Sequence, residues 1–123
     1  MKRSLLFLAI ASLTTCAVFA KDDANHEVIE KVMKEGMKGD GSPHAKLIAG
    51  TASAEEVKSL TDLIHTMTGT KSPVGDQGDY EKKVAALVAG IDAIHGGNKS
   101  PEAIAAYKEA ANCKGCHNAH KPK

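Results

Sequence analysis

Beyond Ala20 the chain has no Phe and no Trp, and Tyr80 and Tyr107 are its only aromatic residues. Large aromatic side chains supply much of the buried area of a small core. The whole chain is 123 residues, one domain's worth. At that size a core made mainly of Ala, Val, Leu and Ile is short of buried apolar surface. The composition therefore points to another body filling the middle of the fold.

The first twenty residues read differently from the rest. Lys2 and Arg3 form a charged start, Leu5 to Val18 is mostly apolar, and Val18-Phe19-Ala20 suits cleavage by a signal peptidase. The apolar run is too short to span a bilayer and is followed at once by Lys21-Asp22-Asp23. We expect residues 1–20 to be a secretory signal peptide and 21–123 to be the exported domain, with a periplasmic destination and no stable membrane insertion. A lipid-anchored alternative would need a small residue before Cys16, but Thr14-Thr15 precedes it. The remaining 103 residues carry 14 basic and 15 acidic side chains. No basic excess is left for phosphate contacts, so nucleic acid is not expected as a partner. With 42% apolar residues in the chain and so little net charge, wholesale disorder is not expected either.

Apolar residues recur at helical spacing throughout. Ile29, Val32, Met33, Gly36 and Met37 define a first helix from Asp23 to about Lys38. The run Lys38-Gly39-Asp40-Gly41-Ser42-Pro43 should end or kink it, and a short apolar turn from His44 to Ala49 follows. Ser53-Ala54-Glu55-Glu56 is a capping box for a second helix with Val57, Leu60, Ile64 and Met67 on one face. A third helix, Asp79 to His95, carries Val84, Leu87, Val88, Ile91 and Ile94. The fourth begins with Ser100 as N-cap and Pro101 at its first position and is expected to run to about His120. No segment alternates with period two. The expected fold is all-α, an antiparallel four-helix bundle.

Within the fourth helix stands Cys113-Lys114-Gly115-Cys116-His117, the C-x-x-C-H pattern of covalent c-type haem attachment. Two thiols one helical turn apart can each add to a vinyl group of the same porphyrin, and the next residue is an imidazole directed at the iron. No other Cys lies beyond residue 20, and export fits the extracytoplasmic site of this modification in bacteria. Three other readings compete. A dithiol redox pair normally sits in a βαβ unit, which this helical chain lacks. A disulfide across one helical turn would stabilise little. A zinc site from Cys113, Cys116, His117 and His120 would place four ligands within eight residues of one helix, a poor tetrahedron.

With the leader, the all-helical body and C-x-x-C-H within the last dozen residues, the chain resembles the class II cytochromes c, the family of cytochrome c′ and its low-spin relatives. Class I members carry the motif near the mature N-terminus. The resemblance spans residues 21–123, although only the haem motif is specific. It implies one covalently bound haem c between the helices of a four-helix bundle and attached to the last, with thioethers at Cys113 and Cys116 and His117 as proximal iron ligand. Glu30-Lys31-Val32-Met33-Lys34 resembles the segment in which low-spin members place a distal Met, which implies Met33 as a distal iron ligand. The chain departs from the family after Met33, where Gly36, Gly39, Gly41 and Pro43 interrupt a usually continuous helix.

Connectivity leads to the same region. In an up-down-up-down bundle the first and last helices are antiparallel neighbours, which puts Asp23 to Met37 at the level of His117. Met33 and Met37 lie about 6 Å apart along a helix, so only one can reach the iron. Met33 is preferred, and Met37 is expected to fill core space. His26 and His44 stay open as distal alternatives. His120 lies one turn beyond His117 on the same face and cannot reach the opposite side of a porphyrin. His65 and His95 fall in last turns, where a His complements the helix dipole. Tyr107 belongs either to the haem contact or to the core.

The expected function is single-electron transfer between redox protein partners by an exported monohaem cytochrome, without substrate turnover. Lys114, Lys121 and Lys123 are available to steer an acidic partner, and a homodimer stays open. The alternative is a five-coordinate, cytochrome c′-like haem protein that binds nitric oxide or carbon monoxide.

Overall fold

The computed structural model describes residues 19–123, with side chains described from Ala24 onward. The expected leader therefore lies outside the described residues, except for Phe19 and Ala20 at the start of the first helix. All the regular structure among the described residues is helical: α1 Phe19–Lys31, a π-helical turn Val32–Met37, α2 Pro43–Ala49, α3 Ala54–His65, α4 Gln77–His95, α5 Pro101–Ala110 and α6 Cys113–His120.

Local chemistry explains the boundaries. Ser53 Oγ accepts from Glu56 N at 3.1 Å while Glu56 Oε2 accepts from Ser53 N at 2.9 Å, the reciprocal cap expected for α3. Ser42 and Ser100 cap α2 and α5 by accepting from Ala45 N and Ala103 N, without the reciprocal bond, each followed by Pro at the first helical position. Asp76 caps α4 by accepting from Asp79 N at 2.7 Å, which starts this helix two residues earlier than the apolar pattern suggests.

Two expected helices are divided. The first passes at Val32 into a π-helical turn closed by Lys38 N donating to Met33 O at 2.9 Å. The fourth stops at Ala110, and Asn112 begins a new helix by accepting from Gly115 N at 2.9 Å. An Asn side chain that bonds the backbone three residues on competes with helix continuation. The haem motif thus sits on its own eight-residue helix rather than on the end of a long one.

The main packing pairs are α4 with α5 and α3 with α4, followed by the π turn and α2 against α3. Gly90 makes the first of these close: a Cβ there would lie 3.1 Å from Tyr107 Cα. The core joins Val32, Leu47, Val57, Leu60, Ile64, Met67, Tyr80, Val84, Leu87, Ile91, Ile94 and Tyr107 in one cluster, with Met33 and Met37 packed against it. Aliphatic side chains and two tyrosines close this core on their own, so the shortage of aromatics does not by itself demand a filler. The structure is all-helical and compatible with a bundle. The direct pairing of the first and last helices expected from a simple up-down order is not among its main packings: the π turn packs on α2 and α3, whereas α6 packs on α4.

Candidate haem-attachment site

Cys113, Cys116 and His117 lie at positions i, i+3 and i+4 of α6, the spacing that gathers side chains on one face of a helix. Neither cysteine is in a disulfide; Cys113 is exposed and Cys116 half-buried. Cys113 Sγ donates weakly to Ala111 O at 3.5 Å. Burial pushes the Cys116 thiol upward; Lys83 opposes this, while Asp79 and Cys113 add to it. His117 is exposed, and among the described residues no hydrogen bond or ion pair engages its ring. The helix thus presents two reduced thiols and an uncommitted imidazole.

A concavity of about 930 Å³ runs between α4 and α5 and ends at Gly115 and Cys116. Its lining is mostly small residues, among them Ala86, Ala89, Gly90 and Ala106, with Lys82, Lys83, Glu102 and Glu109 also contributing. A flat apolar body needs such a surface, and ligand sites of this size are common. The donor set Cys113, Cys116 and His117 has the chemistry of a covalent haem site, and the groove beside it reaches Cys116 without being lined by Cys113 or His117.

The other His of α6 behaves otherwise. His120 is 3% exposed. Its Nδ1 lies 2.8 Å from Ser72 Oγ and 3.0 Å from Val74 O, and its Nε2 lies 2.9 Å from Asp79 Oδ2. Its ring meets Tyr80 edge-on, with centroids 5.4 Å apart. The expectation that His120 merely shares the face of His117 needs correction, because one ring is exposed and the other buried. These bonds also occupy the fourth ligand of the zinc alternative. Among the described residues, no group of three or more His, Cys, Asp or Glu is arranged to hold a metal ion.

Met33 and Met37 are both half-buried in the π turn. The structure brings together Cys113, Cys116 and His117, whereas Met33 belongs to an element whose main neighbours are α2 and α3. His44 is half-buried on α2, its Nδ1 2.7 Å from Tyr107 Oη, and burial lowers its pKa. Tyr107 is fully buried; burial, and to a lesser degree Cys113, hold its phenol well above the ordinary range. His26, His65 and His95 are exposed, and His65 Nε2 pairs with Asp92 Oδ1 at 2.6 Å. The roles of His44, Asn112 and His120 had no sequence signal beyond residue type, since each depends on a partner remote in the chain or on a local break. No described helix is long and apolar enough to cross a membrane. Comparison with protein-family models, with curated proteins and with solved structures found no match to this chain.

Proposed function

We propose that this chain is an exported monohaem cytochrome that carries single electrons between redox protein partners, with haem c bound through Cys113 and Cys116 and His117 on the iron. The observation that carries this reading is the isolated helix α6, which offers two free thiols and one unpaired imidazole beside a groove of small side chains. Haem iron supplies a one-electron couple, and the protein sets its potential through ligand identity, hydrogen bonding and burial. In this reading Cys113 and Cys116 hold the group, His117 orients it, and the Ala- and Gly-lined walls of α4 and α5 exclude water from one side. Lys82 and Lys83 in the groove lining, with Lys114, Lys121 and Lys123 on or after α6, bring positive charge to the partner-facing end. Met33 is the proposed distal ligand, on the resemblance alone.

A second reading has an observation in its favour. The π turn that carries Met33 packs chiefly on α2 and α3 rather than on α6, an arrangement suited to an open distal side and a five-coordinate iron that takes nitric oxide or carbon monoxide. Ferric and ferrous optical spectra with and without carbon monoxide separate the two. A low-spin protein that resists carbon monoxide supports electron transfer; a high-spin protein that binds it rapidly supports gas binding; a colourless product with both thiols free removes both.

A further inference from the structure

The eight residues of α6 cannot take their direction from α5, because Ala111 and Asn112 separate the two helices. The exposed ring of His117 has no hydrogen bond or ion pair among the described residues to orient it. Its direction must therefore come from whatever fixes α6, and the residue of α6 held by the most partners is its last. Ser72 Oγ hydrogen-bonds to both Val74 O and His120 Nδ1. Val74 O and the Asp79 carboxylate only accept. Both nitrogens of His120 are thus engaged, one by the loop at 72–74 and the other by the first turn of α4. Asp79 is itself tied to Lys83 one turn along, and Tyr80 closes the side of the ring. These partners lie on two elements and fix the ring in more than one direction.

His117 and His120 are three residues apart, about 60° around the helix axis and about 4.5 Å along it. Pinning one fixes the angle at which the other leaves the helix. We propose that His120 is a positioning residue that sets the orientation of His117, and through it that of the iron-ligand bond, by clamping α6 to Ser72, Val74 and Asp79. This inference rests on the haem reading above.

The test compares haem-loaded wild type with His120→Ala, His120→Gln and, as a control, the core truncation Val57→Ala on α3. Each is measured by ferric electron paramagnetic resonance, by midpoint potential and by thermal melting. His120→Ala should split or broaden the single set of resonances and shift the potential while the protein is still folded. His120→Gln, whose amide can still donate to Asp79, should recover much of the wild-type spectrum. Val57→Ala should lower the melting temperature and leave the spectrum unchanged. If His120→Ala does not fold, Ser72→Ala and Asp79→Ala each remove one partner of the ring and should shift the resonances in the same direction. A loaded, folded His120→Ala protein with the wild-type spectrum and potential would overturn the inference alone, as would unchanged spectra in both partner variants. Wild type without covalent haem would overturn the haem reading and this inference with it.

Discussion

His44 Nδ1 and Tyr107 Oη lie 2.7 Å apart and join α2 to α5 across 63 positions of the chain. Tyr107 is fully buried, so its hydroxyl depends on this imidazole, whereas the half-buried His44 keeps some access to water. The two partners should therefore be unequal. Tyr107→Phe should cost about 1 kcal/mol, and His44→Ala about 1–3 kcal/mol, because the second leaves a buried phenol unsatisfied. In urea unfolding, the cost of His44→Ala should shrink in a Tyr107→Phe background. Equal, additive costs would show that the bond contributes nothing.

The same pair gives a pH dependence. Burial lowers the His44 pKa from its ordinary 6.5, so the unfolded chain takes up the proton first as the pH falls. Above about 6.5 the ring is neutral in both states and the contribution is intact. Stability should then decline as the pH falls from that value toward the lower folded one. Urea midpoints at pH 7.5 and 5.5 should differ less in His44→Asn than in wild type. An undiminished difference would assign the acid sensitivity to other groups.

The docking of α6 makes a separate prediction at Gly75. Its φ is +85°, and a Cβ there would lie 2.4 Å from Ala119 O. Gly75→Ala combines a strained backbone with a clash that no side-chain rotation relieves, and should cost on the order of 1–3 kcal/mol. Amide exchange within residues 113–120 should accelerate more than in α3. Wild-type protection of α6 in this variant would show that the loop does not hold it.

Much of the fold was legible because its signals are local. Ser53 with Glu56, and Ser100 before Pro101, fix helix starts within four residues of sequence, and the apolar faces of α3 and α4 follow from spacing alone; Ser42-Pro43, read as a break, proved to be the start of α2. The break at Asn112 was not legible, since continuing a helix and starting a new one with an Asn cap use the same residues. Nor was the π turn, where one extra residue per hydrogen bond leaves the apolar pattern of Val32, Met33 and Met37 looking helical. The candidate site was legible as a five-residue motif, Cys113 to His117, which the structure gathers on one short helix. The clamp on His120 was not, because Ser72 and Asp79 lie more than forty positions away.

Met33 and Met37 form a paired test of the distal side. If Met33 ligates, the ferric protein is low-spin with the weak long-wavelength band of a methionine–iron bond, and Met33→Ala abolishes that band and speeds carbon monoxide binding. Met37→Ala should instead keep the band and lose stability, less than the roughly 2–5 kcal/mol of a fully buried Met because its site is partly exposed. Loss of the band only in Met37→Ala would move the ligand by one turn. A high-spin wild type would remove a methionine from the iron and favour gas binding.

The central claim is the covalent haem on α6, and intact mass of the chain exported alongside a haem-attachment system tests it most directly. The account predicts a polypeptide beginning near Lys21 with the added mass of one haem that survives denaturation. Cys113→Ser and Cys116→Ser should each weaken that retention, and the double variant should abolish it. A bare polypeptide with both thiols free, from cells that attach haem to another cytochrome, would contradict the account.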